Sequence, residues 1–308
     1  MIGPTIASTA RARRAIARLL EAPKPAWMRG VSLDPVRAVR LPRDAAVIGV
    51  GGATLGGSGR TPLAIAIARA LRASGATVAF VAHGYGGAVR RARIVVAGDR
   101  ACDVGDEATI AARALAPSVP VVVGPRQDAI DLAARHAQVV VVDRLLQTRP
   151  RRLARSVLAV DARAPWGSGA TLPFGDLLAS PERLREVSDL VVPIGGPEAP
   201  ERCAVGGIAG LRVGAIATLA RPTRMREALA RLGVEPLAFV ERADHAPFSR
   251  DELRALDGAR ATLRLDGWIV DAKTAAWWPP DRSREIRLLS HEVTLSPALV
   301  ELLGSRAA

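Results

Sequence analysis

The segment 46–62 constrains the fold more than any other part of this sequence. An apolar run at 46–50 leads into a glycine-dense turn, which is followed by Arg60, Thr61 and Pro62. Proline fits the first turn of a helix, where its missing N–H costs nothing. A strand, a glycine turn and a helix in this order predict a βα unit whose helix N-terminus faces an anion.

The turn has the composition of a phosphate-binding loop. Three of its glycines, those at the end of the turn, can adopt backbone conformations closed to other residues, so consecutive N–H groups can converge on a polyphosphate. Arg60 stands where such a loop has its lysine, and Thr61 could ligate Mg²⁺. Because Thr54 and Arg60 both depart from the generic pattern G-x-x-x-x-G-K-[ST], an ordinary tight βα turn is the alternative. The glycines are Gly56, Gly57 and Gly59.

Apolar runs alternate with helical patterns from residue 46 to residue 194. The valine run at 139–142 lacks polar alternation, as expected of a strand covered on both faces. This rhythm predicts an α/β fold with a P-loop NTPase-like parallel sheet flanked by helices. The glycine- and proline-rich stretch 195–210 resembles a linker, and a second βα pattern follows it. We predict a basic leader at 1–40, a P-loop kinase domain at 41–205 and a smaller α/β lobe at 206–308.

The charge of the chain predicts affinity for anions without identifying one. Lys and Arg number 43 against 30 Asp and Glu, a net charge of +13, which favours nucleotides, nucleic acid or an anionic membrane; a general arginine bias is the alternative explanation. Nucleic-acid binding is disfavoured because no aromatic residues are interleaved with the basic ones. The two cysteines have no C-x-x-C spacing, so we predict neither a disulfide framework nor a zinc site.

Residues 6–20 form an amphipathic, arginine-rich pattern. Such a helix can lie on a membrane surface with its basic face toward anionic headgroups. A helix packed on the protein's own core has the same periodicity, and a transit peptide is a third alternative. No run approaches the roughly 18 apolar residues that a membrane span requires.

Three further groups of polar residues follow predicted strands or open predicted helices. In parallel sheets, ligands bind beyond the carboxyl ends of the strands. The segment 83–87 reads H-G-Y-G-G, and Asp106 and Glu107 begin a helix. Asp143 ends the valine strand, where it would hold Mg²⁺ like a Walker B carboxylate or cap the next helix.

Together these motifs resemble the tetraacyldisaccharide 4'-kinase (lipid A 4'-kinase) family over residues 46–280. The family loop reads T-x-G-G-T-G-K-T-P, so Thr54 agrees with the family where it departs from the generic pattern. The resemblance implies two α/β lobes and transfer of the ATP γ-phosphoryl group to the 4'-hydroxyl of an acylated glucosamine disaccharide 1-phosphate. It also implies a location on the cytoplasmic face of the bacterial inner membrane, where we expect the basic leader to hold the chain peripherally through its attraction to headgroups. The matching segments are 54–62, 84–87, 105–107, 217–222 and 244–245.

The resemblance also implies roles for individual residues. Asp106 and His245 correspond to the family's acid–histidine pair, which would deprotonate the sugar hydroxyl as a general base. ATP would bind at Thr54, Gly56, Gly57, Ser58, Gly59, Arg60 and Thr61. Magnesium would bind at Thr61, Glu107 and Asp143, and the acceptor at Tyr85, Gly86, Gln147 and Arg221.

Several polar positions depart from the family pattern. Residues 143–148 read D-R-L-L-Q-T where the family has D-D-G-x-Q-H, and His83 stands where the family has arginine. Glycines and prolines are kept, which preserves the backbone path, whereas each lost electrostatic contact can reduce a rate by about 10²–10³. The second hypothesis is therefore a relative that binds nucleotide or lipid without transferring phosphate. A GTPase-like switch is disfavoured because no N-K-x-D segment is present.

Overall fold

The computed structural model describes residues 34–219, 221–242 and 247–305. Its strands are β1 Val36–Ala38, β2 Ala46–Gly52, β3 Val78–Ala82, β4 Arg93–Ile94, β5 Val121–Val123, β6 Val139–Asp143, β7 Gln147–Arg149, β8 Arg155–Asp161, β9 Leu190–Ile194, β10 Glu201–Ala204, β11 Val213–Ala217, β12 Phe239–Glu241, β13 Gly267–Val270, β14 Ile286–Leu288 and β15 Ser290–Val293. Its helices are α1 Arg60–Ala73, α2 Ala101–Val104, α3 Asp106–Leu115, α4 Arg126–Ala134, α5 Pro181–Val187, α6 Thr223–Arg231, α7 Arg250–Leu263, α8 Ala272–Trp277 and α9 Pro297–Gly304.

The larger sheet has seven strands in the order β4-β5-β3-β6-β2-β8-β9. All its pairings are parallel except that of the short edge strand β4 with β5. In β6, Val139 and Val141 belong to one apolar cluster and Val140 and Val142 to another. Successive side chains of a strand point to opposite faces, so the valine run is buried on both faces as predicted.

The smaller sheet has four parallel strands in the order β12-β11-β13-β14. Met225 and Leu229 of α6 pack on one face, and Leu256 of α7 with Trp268 belongs to the cluster on the other. Two parallel sheets with helices on their faces confirm the predicted α/β class.

The stretch 195–210 differs from the predicted linker. It contains β10, which pairs antiparallel with β15, more than 80 residues later in the sequence. Beyond β15, Leu299 and Leu303 of α9 are buried in the apolar cluster of the larger sheet, beside Leu63 of α1. The chain therefore returns to the larger sheet after completing the smaller one.

Residues 6–20 lie outside the described residues, so the membrane-surface helix stays a prediction. Within the described ranges, no helix has both the length and the apolar character that crossing a bilayer requires.

Candidate functional site

The glycine turn joins β2 to α1 at the carboxyl edge of the larger sheet. Gly57 and Gly59 have φ angles of 77° and 74°, in the left-handed region that side chains disfavour. Within the described part of the chain, the backbone N–H groups of residues 56–59 have no hydrogen-bond acceptor. Thr54 stabilises the turn by donating its hydroxyl to the Gly56 carbonyl at 2.7 Å. The loop therefore offers free donors at the N-terminus of a 14-residue helix, an arrangement suited to phosphate.

Arg60 is held by two carboxylates from neighbouring elements. Because β2 and β6 are adjacent and parallel, Val50 pairs with Asp143 and both strands end beside the loop. Arg60 Nε donates to Asp143 Oδ1 at 2.5 Å, and one terminal nitrogen donates to Glu107 Oε1 at 3.0 Å. Thr61 donates its hydroxyl to Asp143 Oδ2 at 2.7 Å. The structure thus brings together the predicted cation, hydroxyl and two metal-binding acids; we call these four residues the Arg60 cluster.

The three charged residues of the Arg60 cluster are almost entirely shielded from water. Arg60 is 9% exposed, Glu107 5% and Asp143 2%. Burial alone would lower the pKa of Arg60, but the charges of Asp143 and Glu107 outweigh it and raise the pKa above its ordinary value. The guanidinium is therefore a permanent positive charge beside the loop.

The oxygen donors of this cluster fit a small hard cation such as Mg²⁺. Glu107 Oε2 is buried and accepts no hydrogen bond among the described residues. No group of three His, Cys, Asp or Glu side chains suited to a metal occurs in the described ranges. Mg²⁺ commonly uses only one or two carboxylates and completes its coordination with phosphates and water, so Thr61, Asp143 and Glu107 are a compatible set.

Asp106 is fixed at the first turn of α3 by close backbone packing. Gly105 has a φ of 90°, and a Cβ there would lie 2.7 Å from the Tyr85 carbonyl oxygen. Asp106 is fully buried; its Oδ1 accepts from the Glu107 N–H at 2.7 Å and its Oδ2 from Trp277 Nε1 of α8 at 3.3 Å. A helix of the smaller sheet thus contacts this carboxylate directly. His245 lies outside the described residues, so its pairing with Asp106 stays a prediction.

The four predicted acceptor-binding residues are not in one place. Tyr85 is 55% exposed and lines the cleft described below, and Gly86 follows it at a φ of 80°. Gln147, by contrast, is buried in β7. Its amide nitrogen donates to Ser156 Oγ and the Val187 carbonyl, and its oxygen accepts the N–H groups of Thr148 and Leu153. Both amide hydrogens and the amide oxygen of Gln147 are therefore used in hydrogen bonds within the protein. Gln147 stabilises the fold around β7 and does not line the cleft.

Two arginines before and within α6 reach the loop from the smaller sheet. Arg221 donates to Asp176 Oδ2 at 2.7 Å, and its Cδ would lie only 2.9 Å from a Cβ on Gly57. Arg224 donates to the Gly57 carbonyl at 3.0 Å and to Glu201 Oε1 at 3.0 Å. The sequence analysis missed Arg224, although it lies three residues after Arg221, one helical turn away.

Glu201 is the centre of a second ion-pair cluster between the sheets. It accepts from Arg224, from Arg163 at 3.4 Å and from His291 Nε2 at 2.8 Å. Burial alone would raise the pKa of Glu201, but the hydrogen bond from His291 and the charges of Arg224 and Arg163 lower it to about 2. Because Arg224 also holds the loop, this cluster ties β10 and α6 to the glycine turn.

The lowered pKa of Glu201 predicts a pH dependence of stability. The ordinary pKa of 4.5 applies to the unfolded chain and about 2 to the folded one, so the stabilisation is complete above about pH 4.5 and is lost as the pH falls toward 2. Since its partners are partly exposed, we expect a loss of about 1–2 kcal/mol. Urea unfolding of the wild type and Glu201→Gln at pH 6 and pH 3 tests this. Equal pH dependence in both proteins would contradict it.

A cleft of about 1350 Å³ lies between the two sheets. Glycines 56, 57 and 59, Arg60, Thr61 and Glu107 line one wall, and Arg221, Arg224, Asp271 and Lys273 line another. Pockets for single small ligands measure about 300–1,000 Å³, so this cleft has room for a nucleotide beside a second substrate. Thr54, Gly86, Asp106, Asp143 and Gln147 are not among its lining residues.

The chain is similar to known proteins in sequence and in fold. A family model described as tetraacyldisaccharide-1-P 4'-kinase (LpxK) matches residues 31–209. The tetraacyldisaccharide 4'-kinase of Geobacter metallireducens is 32% identical over 77% of this chain and 80% of its own length. That of Methylorubrum populi is 35% identical over 79% and 80%. A crystal structure of Aquifex aeolicus LpxK, described as an "apo" form in complex with ATP, has a TM-score of 0.65 at 18% identity. It covers 98% of this chain and 99% of that one, which shows a shared fold.

Proposed function

The chain belongs to the tetraacyldisaccharide 4'-kinase family, and on that premise we propose that it transfers the γ-phosphoryl group of ATP to the 4'-hydroxyl of tetraacyldisaccharide 1-phosphate. The observation that carries the proposal is the Arg60 cluster at the mouth of the glycine loop. It joins a buried cation, a hydroxyl and two carboxylates beside free backbone donors.

In this proposal the loop and Arg60 bind the polyphosphate of ATP. Phosphoryl transfer requires mainly positioning of the reactants and stabilisation of charge on the phosphate oxygens. The free N–H groups at 56–59 supply fixed donors, and Arg60 supplies a cation. Thr54 and Ser58 are both buried and support the turn; a Cβ on Gly52 would collide with Ser58 Oγ.

We further propose that His245 removes the proton of the attacking hydroxyl and that Asp106 orients it. A sugar hydroxyl is a weak nucleophile unless a base takes its proton during attack, and an imidazole does this near neutral pH. The burial of Asp106 and its hydrogen bonds from Trp277 Nε1 and the Glu107 N–H suit a carboxylate that orients another group.

Thr61, Asp143 and Glu107 would hold the Mg²⁺ that accompanies ATP. When bound, the ion neutralises charge on the phosphates. In the structure the guanidinium of Arg60 already contacts both acids, so these residues divide their negative charge between the arginine and any bound cation.

The acceptor carries four acyl chains, which leads us to propose a peripheral site of action at the inner membrane. Three large apolar or aromatic residues are exposed to solvent: Tyr85 by 55%, Leu55 by 37% and Phe174 by 46%. The first two line the cleft. The Leu55 N–H donates to the carbonyl of Asp176, which lies in the same loop as Phe174. Tyr85, Gly86 and Arg221 are the proposed acceptor contacts.

The direct test is transfer of label from γ-³²P-ATP to the acylated disaccharide 1-phosphate. We expect label at the 4' position, and none when the acceptor is already phosphorylated there. Tight ATP binding without transfer under any condition would reject the proposal and favour the second candidate, a binding protein without turnover. The replacements Arg60, Arg144 and Thr148 motivate that candidate.

A further inference from the structure

Arg144 adopts an unusual backbone conformation directly after the Arg60 cluster. Its φ is 61°, in the left-handed region that non-glycine residues seldom occupy. Two hydrogen bonds hold it there: its N–H donates to Asp143 Oδ1 at 2.8 Å, and its carbonyl accepts from a terminal nitrogen of Arg126 at 3.3 Å. The side chains of Arg144 and Arg126 both line the cleft.

The charges around Arg144 do not balance. Its guanidinium is 4.0 Å from Glu107 Oε2 and 3.5 Å from His83 Nδ1. The other oxygen of Glu107 already binds Arg60. Arg126 forms no ion pair among the described residues, and its hydrogen bond goes to a neutral carbonyl. Among the described residues, the arginines at 60, 126 and 144 therefore face two carboxylates, Asp143 and Glu107. The neighbouring Arg37 has Asp34 beside it, so positive charges outnumber negative ones on this part of the cleft wall.

The titration behaviour of the neighbours agrees with this excess. Burial, followed by the charges of Arg144 and Arg126, lowers the pKa of His83 to about 3, so the imidazole is neutral and adds no charge. Burial and then the charges of Arg37 and Arg144 lower the pKa of Arg126. Like charges destabilise each other where water is scarce, and a bound anion would relieve that repulsion.

We propose that Arg144 and Arg126 form a subsite for a terminal phosphate group on the cleft wall beside the Arg60 cluster. Guanidinium groups bind phosphate oxygens through paired, charge-assisted hydrogen bonds. Here two arginines line the same cleft as the glycine turn, and one of them, Arg126, reaches the backbone of the other. The inference rests on the proposed function for its ligand. The phosphate is either the terminal phosphate of the nucleotide or the 1-phosphate of the acceptor, and binding measurements separate the two.

The test measures dissociation constants of the full chain by calorimetry for two ligand pairs. The nucleotide pair is ADP and the β,γ-imido analogue of ATP. The acceptor pair is tetraacyldisaccharide 1-phosphate and its dephosphorylated form, both in detergent micelles. Arg144→Asn removes the charge while asparagine tolerates the left-handed backbone, and Arg126→Gln removes the second charge. Arg113→Gln is the matched control, because Arg113 lines the same cleft outside the Arg60 cluster and the proposed subsite.

We expect Arg144→Asn and Arg126→Gln to weaken the ligand with the additional phosphate by about tenfold or more in one pair, and the ligand without it by less than about twofold. Arg144→Lys keeps the charge but loses the planar guanidinium that can donate two parallel hydrogen bonds. Its affinity for the ligand with the additional phosphate should therefore lie between those of the wild type and Arg144→Asn. The inference is overturned if neither pair shows this difference, if Arg113→Gln reproduces it, or if the wild type binds no member of either pair. Binding with this pattern but without transfer would reject only the proposed function.

Discussion

Replacing Arg60 with alanine is expected to lower the free energy of unfolding by about 3–5 kcal/mol, because it leaves two buried carboxylates without their cation. Asp143 and Glu107 each lose a hydrogen-bonded ion pair at 2.5 and 3.0 Å. The same variant should lose about 10²–10³ in transfer rate, since a preorganised cation beside the phosphates is removed. Urea unfolding and the γ-³²P-ATP assay measure the two effects.

Two further variants are needed to interpret the result for Arg60→Ala. Arg69→Ala is the control, because Arg69 is an exposed arginine of α1 whose side chain donates to the Ala114 carbonyl. Arg60→Lys keeps one charge but cannot donate to both acids in the same geometry, so an intermediate stability is expected. If Arg60→Ala were as stable as Arg69→Ala, the Arg60 cluster would not stabilise the fold. A rate increase in Arg60→Lys would favour the hypothesis of an impaired relative.

Asp106→Asn and His245→Ala are each expected to reduce the transfer rate by about 10²–10⁴, the usual contribution of general acid–base catalysis. Asparagine keeps the shape of Asp106 but removes the negative charge that would orient the imidazole. The affinity for ATP should change little, because neither residue belongs to the proposed nucleotide contacts. Because the two residues act as a unit, the double variant should be little slower than either single one.

The variant Trp277→Phe distinguishes a catalytic role of Asp106 from a role in packing alone. It removes the indole donor to Asp106 Oδ2 while keeping an aromatic side chain at the contact between α8 and α3. If Asp106 only holds the smaller sheet in place, Trp277→Phe should be as slow as Asp106→Asn. If Asp106 orients His245, Trp277→Phe should keep most of the activity, and a full rate in Asp106→Asn would exclude the base mechanism.

The sequence predicted those parts of the fold that local patterns specify. The valine strand at 139–142 and the helix that begins at Asp106 were predicted where the structure has β6 and α3, because an apolar run or a helical period is complete within each. The linker at 195–210 was partly wrong, because β10 exists through its pairing with β15. Pairing between distant segments has no local signal.

The same distinction applies to the site. The glycine turn could be predicted directly from the sequence. The parallel pairing of β2 and β6 explains why Asp143 lies beside that turn. The environment of Gln147 could not be read, since its partners Ser156, Leu153 and Val187 meet only in the folded chain. Arg126 carries no signal in the sequence, and Arg144 stands out there only as the replacement of a family acid; only the folded chain places the two together.

Helix α9 packs against α1, the helix that follows the glycine turn, although the two are far apart in sequence. Its Leu299 and Leu303 pack in the same cluster as Leu63 of α1. Arg155 of β8 also donates to the Leu302 carbonyl and to Ser305. Truncation of α9 would uncover the apolar back of the helix that begins with Arg60. We therefore expect the glycine turn to keep its geometry only when α9 is present. Any shortened version intended for crystallisation or affinity tagging should retain α9.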